Sequence, residues 1–236
     1  MNLKIFRNVF SNIVISIIVL SLIYITNGTN IITASNLDNG KAIYRGNTEN
    51  KNVSIMINVY WGTEYLQPMI DILKEKGVNA TFFVGGIWAV KNENLLKKIK
   101  ELGFEIGNHG YNHKDHDKLT YEHNKQEITA THEIVRRITG VEMNLFAPPS
   151  GAYNQTTLDV ASSLGYKTIM WTLDTIDWRD KNTDLIYSRA TKKLANGALV
   201  LMHPTANTLE ALPKIIDFYL DNNYSVVSVS TNIALS

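Results

Sequence analysis

The stretch Val53-Ser-Ile-Met-Ile-Asn58, followed across a helical segment by Ala80-Thr-Phe-Phe-Val84, decides the fold. Two short apolar runs bound a segment, residues 65–76, in which Leu66, Met69, Ile70 and Leu73 recur at helical spacing. Gly77 supplies the left-handed stop. A strand, a helix and a second strand in that order predict a parallel pair with a crossover helix. Working outward, the same alternation continues to the end of the chain. Helical patterns fall at 95–102, 120–139, 156–164, 184–194 and 209–220, the first three closed by Gly103, Gly140 and Gly165. Strand patterns fall at 104–106, 143–146, 166–172, 198–202 and 225–229. About seven such units predict an α/β fold, a distorted (β/α)7-type barrel with a parallel sheet and outer helices.

Composition narrows what such a barrel does. The 236 residues, 44% hydrophobic, suffice for one substantial core. With 23 basic and 22 acidic residues interspersed, no broad charged face arises, which argues against a nucleic-acid partner. Cysteine is absent, so disulfides and thiolate metal sites are excluded and His, Asp and Glu remain as ligands. Lys4 and Arg7 precede an apolar run at 13–25 interrupted only by Ser16 and Ser21. That order reads residues 1–35 as an export signal or an N-terminal membrane anchor, the only part expected to touch a membrane. Residues 36–52, poor in apolar period, read as a spacer, and 53–236 as the folded domain. The expected location is outside the cell or at its wall.

The polar residues suited to chemistry follow predicted strands: Asn58, His109 and His113, Pro148 to Gly151, Asp174 and Asp177, and His203. In a parallel barrel those positions share the C-terminal mouth. His109-Gly-Tyr-Asn-His113 has the spacing of a metal-binding pair, although histidines at that spacing also occur as ordinary core or surface groups. His203, ending an apolar strand and fixed by Pro204, is placed to donate a proton; a satisfied core histidine is the plainer reading. Asp174 and Asp177 could orient an imidazole, with Trp178 as an apolar wall. His116, His123 and His132 read as helix-face or loop histidines.

Together these segments resemble the polysaccharide deacetylases, the nodulation-type carbohydrate esterases, in order from Val53 to Val229. Lys76-Gly-Val-Asn-Ala-Thr-Phe-Phe-Val84, Glu105-Ile-Gly-Asn-His109-Gly-Tyr-Asn-His113, Pro148-Pro149-Ser150-Gly151, Trp171 to Trp178 and Leu201-Met202-His203 carry the likeness. The resemblance implies a divalent metal, often zinc, held in a surface groove, and a polysaccharide such as peptidoglycan or chitooligosaccharide as partner. It implies His109 and His113 as metal ligands, and His203 as general acid with Asp177 beside it. It implies Pro149 and Ser150 at the substrate, Ser150 through an oxyanion-binding N–H, and Leu201 and Trp178 lining an acetyl pocket.

The first motif departs from the family. Where Phe-Asp-Asp-Gly is expected the chain has Ile57-Asn58-Val59-Tyr60-Trp61-Gly62, which puts Asn58 at the base and Val59 at a metal-ligand position. An amide is too weakly basic to take a proton at neutral pH, and valine coordinates nothing. Ala147 stands where an arginine would buttress the base. These paired losses resemble a divergent branch of spore-forming bacteria. The chain therefore reads as an N-deacetylase with degraded base and metal positions or, alternatively, as a glycan-binding or cell-wall assembly protein on the same fold.

Overall fold

A computed structural model describes residues 40–234, so the predicted export signal or anchor lies outside the described residues. No helix among the described residues is long and apolar enough to cross a membrane. The strands are β1 (Asn52–Val59), β2 (Thr81–Val84), β3 (Glu105–Asn108), β4 (Leu145–Phe146), β5 (Lys167–Thr168), β6 (Leu173–Asp174), β7 (Ala198–Met202) and β8 (Ser225–Val226). The helices are α1 (Thr63–Glu75), α2 (Gly86–Lys91), α3 (Glu93–Glu101), α4 (Tyr121–Thr139), α5 (Gln155–Ser163), α6 (Thr183–Thr191), α7 (Ala206–Asp221) and α8 (Val229–Ile233). The sheet runs β5-β4-β3-β2-β1-β7-β6, with β8 paired to the start of β1. All of its pairings are parallel.

Alternation along the strands sorts the core into an outer and an inner layer. Val53, Ile55, Ile57 and Val59 of β1 pack outward with Leu66, Met69, Ile70 and Trp88 beneath the helices. Met56 packs inward with Phe83, Leu145, Ala147, Ile169, Leu199 and Val229. Gly107 makes that interior possible, because a β-carbon there would lie 2.5 Å from the Phe83 ring. Each fully buried Ile, Leu or Phe contributes roughly 1.5–3 kcal/mol, which outweighs the weak propensities of strands as short as two residues.

Three sequence readings are corrected. Residues 166–172 were expected as one strand, yet the chain pairs β5 with β4 and then β6 with β7, the opposite edge of the sheet. The segment crosses the barrel seam, and its side-chain pattern does not register the change of partner. Residues 225–229 give only the short β8, after which Ser228 caps α8 by accepting the Thr231 N–H. Thr81 Oγ1 accepts the Val229 N–H at 2.9 Å, and Glu105 accepts from Thr81 at 2.6 Å and from Ser230 at 3.2 Å.

The third correction concerns the spacer, whose described part is bound to the barrel. Ile43 donates to the Thr168 carbonyl and accepts from the Met170 N–H, both at 2.8 Å. Gly46 N–H reaches the Gly197 carbonyl at 2.8 Å and Asn47 N–H the Asn232 carbonyl at 2.7 Å. These main-chain bonds need no apolar periodicity, so the composition concealed them.

Candidate functional site at the barrel mouth

Strand parity carries the polar residues to one end of the inner layer. Met56 and Asn58, Gly107 and His109, Leu145 and Ala147, and Leu201 and His203 are paired by the same alternation. Asp174, opposite Leu201 in the register, joins them. Val59 has the opposite parity and belongs to the outer core. At the position the resemblance gives to a metal ligand, the chain thus has an apolar side chain packed beneath the helices.

His109 is buried, and its Nδ1–H donates to the Ala147 carbonyl at 2.7 Å, which leaves Nε2 with the free lone pair. His113 adopts a left-handed φ of 55° and sets its ring edge-on to His109, centroids 5.1 Å apart. The Glu127 carboxylate holds the loop between them. Oε2 accepts the N–H groups of Tyr111 (2.8 Å) and Asn112 (2.6 Å), and Oε1 accepts from Asn112 Nδ2 at 2.7 Å. These bonds and Lys114 keep the Glu127 carboxyl below its usual value despite desolvation. Burial is the largest influence lowering the pKa of both His109 and His113, and the charge of His203 acts on each in the same direction. The chain neighbours Tyr60 and Trp61 pack on His113 and on His203 respectively, which brings the third imidazole to the same end of β1 as the pair.

His203 is tied to Asp177 twice. Its Nδ1–H donates to Oδ1 at 2.8 Å and its main-chain N–H to Oδ2 at 2.6 Å. Thr208 Oγ1 completes the shell at 2.6 Å. With Nδ1 so engaged, Nε2 is the nitrogen available to exchange a proton. Asp174, half-buried, accepts the Ile176 N–H at 2.8 Å, and desolvation raises its carboxyl pKa.

The other predicted positions divide. Pro149 is buried, and Ser150 is exposed with φ 57° in a short 3-10 turn. Leu201 is buried, and Trp178 is 55% exposed. Asn58 is buried, and its Oδ1 has no hydrogen-bond partner. His123 sits in the exposed first turn of α4, and His132 is half-buried between the Tyr166 hydroxyl (2.6 Å) and Glu142 (2.8 Å). His116 lies in the short 3-10 turn at His116–Lys118 and is fully buried. It packs on Phe146 and donates from Nδ1 to Asn124 Oδ1 at 2.6 Å, while Nε2 lacks a partner.

Sequence reasoning missed three contributors. Glu127 had a readable signal: it is an acid on the buried face of α4 with Asn124, Ile128 and Thr131. Tyr60 packs on His113 with centroids 4.8 Å apart, and Trp61 stacks on His203 at 5.8 Å with the rings 5° from parallel. Their signal was only two aromatics directly after the positions where acids were expected.

A catalytic zinc ion takes three protein ligands and keeps a fourth position for water. Among the described residues no three His, Cys, Asp or Glu side chains gather to hold a metal. His109 and His113 offer two nitrogens, and the buried, unpaired oxygen at Asn58, at the end of β1, belongs to an amide. This set does not fit a catalytic zinc site.

The sequence profile described as polysaccharide deacetylase matches residues 45–169. The chain belongs to this family. It is 42% identical over 188 residues to the Bacillus subtilis protein YlxY, a match covering 80% of this chain and 59% of that protein. It is 30% identical to the peptidoglycan-N-acetylmuramic acid deacetylase PdaA of Bacillus subtilis, covering 80% of this chain and 73% of the relative. Among solved structures, the carbohydrate esterase family 4 pseudoenzyme BA3943 of Bacillus anthracis superposes with a TM-score of 0.80 at 36% identity, covering 83% of this chain and 69% of that one. A mutant of BA3943 described as having restored enzymatic activity superposes with a TM-score of 0.80 at 35% identity, covering 83% of this deacetylase-family chain and 72% of its own. The (β/α)7 barrel of such esterases is the architecture found here.

Proposed function

We propose that this chain is an exported protein that binds an amino-sugar polysaccharide of the peptidoglycan or chitin type, on a deacetylase barrel whose hydrolytic half is disabled. One observation carries the reading: the interior oxygen at the end of β1 is the amide Oδ1 of Asn58, buried and unpaired, where the resemblance calls for a carboxylate base. Cleaving an acetamide requires a nucleophile stronger than neutral water and a proton for the departing amine. His203, oriented by Asp177, can supply the proton. Nothing at Asn58 can take one from water, and loss of a general base removes about 10² to 10⁴ in rate. The relatives' activity on peptidoglycan and the pseudoenzyme neighbour support the polysaccharide and the impairment respectively. Lys4, Arg7 and the apolar run at 13–25 support export, which cell fractionation tests.

A second reading, slow N-deacetylation, is favoured by the intact pairing of His203 with Asp177. Calorimetric titration with chitooligosaccharide and with solubilised peptidoglycan, alongside an acetate-release assay, separates the two. The first reading expects binding without acetate. The second expects acetate release that disappears in His203→Ala. Absence of binding to either glycan sinks the first.

A further inference from the structure

We infer that the exposed face of Trp61 is a stacking platform for an uncharged pyranose ring, the point at which the glycan of the proposed function is gripped. The inference rests on that function and specifies its contact. Trp61 is 43% exposed, although indole is among the side chains whose burial contributes most. The ring is also held in one orientation. One face lies parallel to His203, which Asp177 holds in turn through its ring and its main chain.

The loop beneath is clamped as well. A β-carbon at Gly62 would lie 2.0 Å from the Pro204 carbonyl oxygen, so residues 61–62 lie directly on the segment that follows His203. Tyr60 anchors the other side of the loop, its ring on His113 and its hydroxyl donating to the Asn112 carbonyl at 3.4 Å. A flat apolar surface fixed before binding loses little freedom when a ligand settles on it. The hydrogen-bearing face of a sugar ring is the complementary shape, and its rim of hydroxyls suits the polar groups at this mouth.

Charge selects among sugars. The basic side chains near the mouth are engaged: Lys114 with Glu127, Lys118 with Asp115, and Arg179 with Asp180. The carboxylates of Asp174 and Asp177 lie on the His203 side. A polyphosphate-type polymer is therefore disfavoured at Trp61, and a neutral N-acetylated amino sugar of a chitin or peptidoglycan strand fits.

The test is calorimetric titration of chitooligosaccharide into the wild type, Trp61→Ala, Trp61→Phe and Tyr121→Ala, with melting curves for each. Tyr121 is a similarly exposed aromatic on α4 and serves as the control. Trp61→Ala is expected to weaken binding by about tenfold or more, Trp61→Phe to retain most of it, and Tyr121→Ala to leave it unchanged. Should Trp61→Ala melt early, tryptophan fluorescence decides the matter: quenching by the sugar that is present in the wild type and lost in Trp61→Phe supports the platform, and equal quenching in both, as from the exposed Trp178, overturns it. Wild-type binding that survives Trp61→Ala overturns the platform while leaving the proposed function standing. No binding of chitooligosaccharide by the wild type, with solubilised peptidoglycan still bound, overturns the neutral-sugar assignment, and no binding of either glycan overturns the proposed function itself. Tighter binding of an anionic phosphodiester polymer than of the neutral sugar overturns the assigned ligand class.

Discussion

Asn58 and Val59 are chain neighbours with opposite surroundings, and their substitutions should separate accordingly. Asn58 faces the interior with an unpaired amide oxygen, so Asn58→Asp places a carboxylate on the face that carries His109. Zinc affinity measured by calorimetry is expected to rise by about tenfold or more, and no gain would mean that the histidine pair is not disposed around an ion. Val59 is fully buried among apolar side chains, so Val59→Asp is expected to lower unfolding free energy by about 3 kcal/mol or more in urea titrations. An undiminished midpoint would contradict its place in the outer layer. The meeting of His109 with His113 and of His203 with Asp177 was legible because each follows an apolar strand run and strand ends converge. The aromatic contacts were not, since stacking depends on ring orientation and no spacing rule encodes it.

Among the elements, α4 does more than cover the sheet. Glu127 reaches from its buried face to three donors on the loop that presents His113. Glu127→Ala leaves those donors without their acceptor and removes the restraint on a left-handed residue. Increased hydrogen–deuterium exchange confined to residues 110–114 is expected, with stability down by about 1–3 kcal/mol. Unchanged exchange there would mean that the loop holds its own shape. The units around β1, β2 and β3 were readable because apolar periodicity and terminal glycines agree. The seam crossing at 167–174 and the strap at 43–47 were not, because both are defined by which main chain a strand adopts as partner. Deleting residues 1–51 is accordingly expected to lower the melting temperature relative to a chain beginning at residue 40, since the bonds of Ile43, Gly46 and Asn47 are lost. Equal melting temperatures would make the strap dispensable.

At the scale of the whole molecule, buried imidazoles couple stability to acidity. Burial lowers the pKa of both His109 and His116 in the folded protein, while in the unfolded chain such groups titrate near the ordinary value of about 6.5. Unfolding therefore takes up protons below that pH, and stability, complete above it, falls as acidity increases towards the folded values. The slope approaches about 1.4 kcal/mol per pH unit for each histidine that stays neutral. Denaturant titrations between about pH 7.5 and 5 check this, with a shallower slope expected in His116→Leu; a flat profile in the wild type would contradict it.

The strap has a mechanical consequence. Its hydrogen bonds lie along the seam, and Ile43 is bridged to Ile169 just beyond β5. Tension applied to the chain ahead of residue 40 is thus not absorbed by slack. It is loaded onto a row of bonds that can open one at a time, so the barrel should begin to yield where its circumference is weakest, and at low force.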